Sequence, residues 1–137
     1  MSKEIPQNKS LETEHSDPPQ DQISALVNLY NSGQMIETEQ ACRELLQAYP
    51  QSLVVLNVLG GALSGQSKLK ESVQVFEKAI QVKPDFINGY YNRGNALGNL
   101  GQLDAAMQDY DKAIQLKPDY VEAHYNIGNA LANQDKP

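Results

Sequence analysis

Along most of the chain, apolar and small residues recur at the three-and-four spacing of a helix face, interrupted at regular intervals by glycine and proline. Tyr90, Arg93, Gly94 and Leu97 fall at i, i+3, i+4 and i+7, one face of a helix. Leu103, Ala106, Met107, Tyr110, Ala113 and Ile114 mark one face of a second helix. Between them Gly101 and Gln102 supply a turn, glycine being permissive where the chain leaves a helix. Pro118 lacks an N–H and disfavours helix in the residue before it, so it ends the second helix. Asp119, and Asp85 earlier in the chain, are expected to cap the helices that follow, their carboxylates accepting from free amides.

This grammar repeats. Pro50, Pro84 and Pro118 stand 34 residues apart, and FEKAIQVKPDF at 76–86 returns as YDKAIQLKPDY at 110–120. YYNRGNALGN at 90–99 returns as HYNIGNALAN at 124–133, at the same displacement. Two echoes at one spacing identify a structural repeat of two helices and two turns. With the prolines at position 32, repeats begin at residues 19, 53, 87 and 121. Position 8 is Gly60, Gly94 and Gly128; position 20 is Ser72 and Ala106; position 24 is Phe76 and Tyr110; position 27 is Ala79 and Ala113.

A 34-residue helix pair with small residues at positions 8, 20 and 27 and an aromatic at 24 resembles the tetratricopeptide repeat (TPR) family. The resemblance covers roughly 19–137. It implies an all-α fold, a right-handed α-solenoid of antiparallel helix pairs with about seven helices. The small residues would let helices approach closely, and the aromatics would fill the space left between repeats. The first repeat, about 19–52, is degenerate, with Leu26, Thr38, Cys42 and Leu45 at those positions. It reads as a capping repeat, since terminal repeats of a stack are often atypical, and Asp17 is expected to be its N-cap ahead of Pro18 and Pro19. The domain reading is a polar tail at 1–17 and an array at 18–137, with full repeats at 53–86 and 87–120 and a partial one at 121–137.

Charge narrows the partners. The formal net charge is -6, which disfavours nucleic acid and anionic lipid surfaces. The tail carries Glu4, Glu12, Glu14 and Asp17, has almost no apolar residues, and is expected to be disordered. No run approaches the ~18 apolar residues of a membrane span, and the N-terminus has no apolar core of an export signal, so a cytoplasmic location is expected. One cysteine, Cys42, and two histidines, His15 and His124, leave no metal site and no intramolecular disulfide.

The first helix of each repeat would line a concave groove, and there the sequence carries a stripe of amides. Asn88, Asn92, Asn95 and Asn99 share one face of the third repeat, and Asn126, Asn129 and Asn133 repeat the last three in the fourth. Asparagine is a mediocre helix former, so the stripe has no obvious return in helix stability. A carboxamide both donates and accepts, and can pair with a peptide backbone whatever its sequence. Tyr91 and Tyr125 beside the stripe add apolar surface with a polar tip. These nine residues are the candidate peptide-binding set; the alternative is that the amides are solvated or bridge neighbouring repeats. The position-6 residues Asn92 and Asn126 also match a ladder in arrays resembling those of O-linked N-acetylglucosamine transferases of the SPINDLY type. Position 6 of the second repeat is instead Val58, with Asn57 one residue early.

No catalytic site and no cofactor are expected. Cys42 aligns with Phe76 and Tyr110 as a core thiol, His124 aligns with Tyr90, and Asp109 and Asp111 diverge on a helix. The glycines of 94–101 lie in a helix and lack the Lys–Ser/Thr of a phosphate loop. The expected function is binding of an extended peptide or partner domain in the groove. The alternative reading, implied by resemblance, is the substrate-recruiting arm of a longer glycosyltransferase or of a bacterial TPR sulfotransferase. Residues 119–133 copy an internal first helix, so a second helix is expected to be missing over Tyr125, Ile127, Gly128 and Leu131. From that the chain reads as a piece of a longer protein that frays or self-associates through its last helix.

Overall fold

The computed structural model describes residues 17–134, so the tail at 1–16 lies outside it. Among the described residues there are seven helices and no strand: α1 Gln20–Asn31, α2 Met35–Ala48, α3 Leu53–Gly65, α4 Leu69–Val82, α5 Ile87–Asn99, α6 Leu103–Leu116 and α7 Val121–Gln134. Each helix packs on its sequence neighbours. In addition α1 meets α3, α3 meets α5 and α5 meets α7, whereas the backbones of α2, α4 and α6 stay apart, with Arg43 of α2 reaching Glu71 of α4 at 3.3 Å by its side chain. The first helices therefore form the inner row of an α-solenoid and the second helices its splayed outer row.

Within each pair the chain turns through one left-handed residue. Gly33 has φ +81°, Gly101 has φ +83°, and Ser67, at the equivalent position, has φ +62°. The residue after each closes the turn by donating back five residues: Gln34 to Leu29 at 3.1 Å, Lys68 to Leu63 at 2.9 Å and Gln102 to Leu97 at 2.9 Å. Ser67 makes this turn against the steric preference of a Cβ.

The expected aspartate caps are not formed. The cap residue of α1 is Pro19 and that of α5 is Phe86, neither with a side-chain cap bond, and Asp119 lies two residues before the start of α7. Asp17 instead accepts from the Ser52 hydroxyl at 2.5 Å, and Ser52 is the residue that caps α3, accepting from Val55 N. The turns between repeats are tied from the next helix. Tyr90 donates to the Pro84 carbonyl at 2.8 Å, and His124 Nε2 lies 3.0 Å from the Pro118 carbonyl. The carbonyl can only accept, so that imidazole nitrogen carries the proton.

The pair is held close by a glycine and a ring. A methyl on Gly94 would stand 2.7 Å from the ring of Tyr110, and Phe76 lies on Gly60 in the same way. The aromatics thus fill space inside their own pair, and Tyr110 also reaches a cluster with Leu97 and Ala123 of the next repeat. In the first pair the sizes are inverted: Leu26 stands where the others have glycine and Cys42 where they have the ring, and both are buried in one cluster with Val55, Leu59 and Leu63. Burial pushes the Cys42 thiol up to about 12, as fits a packed residue rather than a nucleophile.

The first two repeats are joined by a polar hub. Glu39 of α2 accepts from Gln66 at 2.9 Å, from Arg43 at 2.8 Å and from Lys68 at 3.1 Å. These donors, the Gln66 amide foremost, hold its carboxyl at about 2, below the ordinary 4.5. A carboxylate held down in the fold stabilises it above the unfolded value, and that contribution is lost as pH falls from about 4.5 towards 2. Glu39→Gln is therefore expected to flatten the acid limb of a melting-temperature profile across that window. An unchanged limb would mean the hub is solvated.

Gly94→Leu is expected to destabilise by ~1–3 kcal/mol, as overpacking does. Ser67→Gly is expected to raise stability by up to ~1 kcal/mol by relieving the left-handed strain. Thermal unfolding of the two variants checks both signs.

Candidate functional site

The inner row brings most of the amide stripe together, but much of it faces neighbouring repeats. Asn92 donates to Asn57 at 2.8 Å, and Asn126 donates to Tyr91 at 3.1 Å and to Asn95 at 2.8 Å. Asn95 also accepts from the Tyr110 hydroxyl at 2.6 Å. Each position-6 asparagine thus reaches back to position 5 of the preceding repeat, where Asn57 and Tyr91 stand. Asn57 joins this ladder although Val58 holds its position 6. The phenol of Tyr110 is pushed up to about 12, chiefly by burial. Tyr91 is half-buried in the same network, its ring 4.9 Å from that of Tyr120 and 6.0 Å from that of Tyr110.

The remaining amides are open. Asn99, Asn129 and Asn133 are exposed and line two concavities of the inner row. One, of 440 Å³, lies between α5, α6 and α7 and is lined by Asn95, Asn99, Asn126, Asn129 and Asn133, with Tyr110 at its floor. The other, of 400 Å³, lies over α3 and α5 and is lined by Tyr30, Met35, Asn57, Asn92, Asn95 and Asn99 among others. No charged residue lines either one. In a chain with 11 basic and 17 acidic residues, that neutrality is a feature of the groove.

Asn88 and Tyr125 do not join this group. Asn88 is exposed in a separate concavity with Lys83, Asp85, Lys117, Tyr120 and Glu122, at the edge of the turns between repeats. Tyr125 is 69% exposed on α7. Of the four residues expected to lie bare on α7, Ile127 is covered, packed against the cluster of Leu97, Tyr110 and Ala123. It faces the preceding repeat rather than a missing helix.

One buried pair escaped the sequence reading. Arg93 grips Asp109 through both oxygens at 2.7 Å, and Asp109 is only 6% exposed. The hydrogen bonds it donates to Asp109 raise the pKa of the guanidinium further. The equivalent positions of the second repeat are Leu59 and Val75, which share an apolar cluster, so an ion pair replaces an apolar pair. The exchange at a fixed register was the available signal. Such a pair is weak evidence for stability, and it completes the α5–α6 contact without entering the groove. Among the described residues no three of His, Cys, Asp and Glu gather as a metal site would require, and no helix is long and apolar enough to cross a membrane.

A family model described as TPR repeat matches residues 62–101 and 99–135. The peroxisomal targeting signal receptor of Kluyveromyces lactis is 27% identical over 74 residues, 54% of this chain and 13% of the receptor, so the chain spans a small part of that relative's length. In structure it is similar to the first TPR of Spaghetti (RPAP3) bound to an HSP90 peptide, SRMEEVD, with a TM-score of 0.80 at 18% identity over 84% of this chain and 91% of that one. It is also similar to a mutant O-GlcNAc transferase of Thermobaculum terrenum, with a TM-score of 0.71 at 27% identity, over 83% of this chain and 23% of that one.

Asn92 and Asn126 bind across repeats, so their replacement bears on stability as well as on any ligand. Asn126→Ala is expected to cost ~1–2 kcal/mol, since it removes two inter-repeat bonds and leaves half-buried acceptors short of a partner. Faster hydrogen exchange in α7 would accompany it. Native exchange in that variant would show the bonds to be idle.

Proposed function

Because the chain belongs to the tetratricopeptide repeat family, we propose that it is a non-catalytic binding module whose concave groove takes a neutral, extended stretch of polypeptide. The observation that carries this reading is the groove's lining: open amides at Asn99, Asn129 and Asn133 on a floor without charge. Such amides can pair with the N–H and C=O of a strand-like guest irrespective of its side chains. Asn92, Asn95 and Asn126 hold the wall in place and present their spare hydrogen-bonding capacity to it. The HSP90 peptide in the RPAP3 complex, SRMEEVD, is rich in carboxylates, and this groove offers no cation to receive them. The guest proposed here is therefore of a different charge class. Asn88, Tyr91 and Tyr125 contribute at the margins, if the guest runs beyond the two concavities. A cytoplasmic setting belongs to the same reading, in keeping with a buried free thiol at Cys42.

A second reading makes the array the substrate-holding arm of a longer glycosyltransferase. What favours it is the 27% identity to the Thermobaculum terrenum enzyme, over 83% of this chain. Both readings use the groove in the same way and differ in what is attached to it.

The test is an array of extended peptides graded in net charge, probed with the whole chain. Neutral peptides are expected to bind with little dependence on salt, because screening acts on charge pairs. Replacing Asn99, Asn129 and Asn133 together by Ala is expected to weaken them by ~1–3 kcal/mol at an unchanged melting temperature. A preference for acidic peptides that fades with salt, or a triple variant that binds as well as the parent, overturns the proposal.

A further inference from the structure

The paired amides of the inner row are all turned the same way. Asn92 and Asn126 each donate back to the preceding repeat, to the oxygens of Asn57 and Asn95. Asn126 commits both hydrogens of its nitrogen, to Asn95 and to the Tyr91 hydroxyl, which leaves its oxygen. Asn95 commits both lone pairs of its oxygen, to Asn126 and to the Tyr110 hydroxyl, which leaves its nitrogen. Neither the Asn126 oxygen nor the Asn95 nitrogen has a hydrogen-bond partner among the described residues, and both residues line the concavity between α5, α6 and α7. That concavity offers an acceptor on α7 and a donor on α5. The preceding rung has the same sense, with the oxygen of Asn92 left on α5 and the nitrogen of Asn57 left on α3.

The two ends of a carboxamide have nearly the same shape, so its partners decide which way it faces. For Asn95 the deciding partner is Tyr110, whose residue is 5% exposed and whose hydroxyl has Asn95 as its one acceptor among the described residues. Turning Asn95 over would set its nitrogen against that hydroxyl and leave a buried O–H without an acceptor. Tyr91 imposes no such choice, because its hydroxyl can donate to Asn126 as well as accept from it. We infer that the Tyr110 hydroxyl is a positioning group for the guest: by fixing Asn95, and Asn126 through it, it makes the groove take an extended chain in one direction only. The inference rests on the groove reading given above. An extended chain shows N–H and C=O alternately along each edge, at alternating close and wide intervals. A row of fixed donors and acceptors therefore fits one chain direction, and the reversed chain presents the same groups at the wrong intervals. The device belongs to one repeat. In the preceding repeat Phe76 stands at the position of Tyr110 and Gly61 at that of Asn95, so the hydroxyl and its amide are absent together.

The probe is an end-capped peptide of alternating serine and alanine with a nitroxide at one end, added to the whole chain with its amides isotopically labelled for NMR. In the parent protein a label at the peptide's N-terminus is expected to broaden α3 or α7 and not both. Moving the label to the C-terminus is expected to move the broadening to the other helix. Tyr110→Phe keeps the ring on Gly94, as Phe76 lies on Gly60, and removes only the hydroxyl. It is expected to bind the peptide still and to lose the asymmetry, both helices broadening from either label. Asn95→Asp keeps the two bonds that Asn95 accepts and exchanges its free donor for an acceptor. It is expected to weaken the peptide at least ~10-fold, the scale of a polar group left facing no partner. Equal broadening of both helices in the parent, an asymmetry that survives Tyr110→Phe, or unchanged affinity in Asn95→Asp overturns the inference and leaves the groove reading standing. A parent that binds no neutral peptide overturns the groove reading, and this inference with it.

Discussion

The ring of Tyr110 lying on the bare backbone of Gly94 sets the distance between the two helices of a pair, and the rest of the stack is built on that distance. A side chain at position 8 would hold the helices apart and leave the ring without a seat. With the ring seated, its hydroxyl reaches Asn95, and Asn95 in turn receives Asn126 from the next repeat. A steric fit within one pair is in this way converted into a polar connection between pairs. The first pair obeys the same volume rule with the sizes exchanged, Leu26 filling what Cys42 leaves. Close packing constrains the sum of the two side chains and leaves open which helix carries the larger one.

The amides of the inner row divide by what they meet. Asn92, Asn95 and Asn126 link one first helix to the next, and Asn99, Asn129 and Asn133 look into the open concavities. A wall that binds itself resists collapse, so the open amides keep their spacing. For the binding proposed above, that would be preorganisation, which lowers the ordering cost of taking a guest. It also explains why a residue type of poor helix propensity is concentrated here: part of its return comes from the neighbouring repeat.

The helix pairs, their turns and their small and aromatic positions were legible because one spacing governs them all, and a residue's environment in one repeat is copied in the next. Reading failed where the repeat rule does not reach. The aspartates before α5 and α7 resemble caps in sequence, yet the chain takes a further turn before the helix begins, and Tyr90 and His124 satisfy the loop instead. The amide stripe was legible as a stripe, but its partners at Asn57 and Tyr91 were not, since helix stacking decides which positions of adjacent repeats meet. Arg93 and Asp109 belong to one repeat alone, so no internal echo announced them.

Each repeat touches only the repeats beside it, and this has a mechanical consequence. At every joint the second helix of one pair packs on the first helix of the next and the first helices meet, and between the first two repeats Arg43 of α2 also reaches Glu71 of α4. No contact spans two joints, so a small change of angle at one is not resisted at another. Small rotations can therefore add along the stack, and the array can bow or straighten without any single interface coming apart.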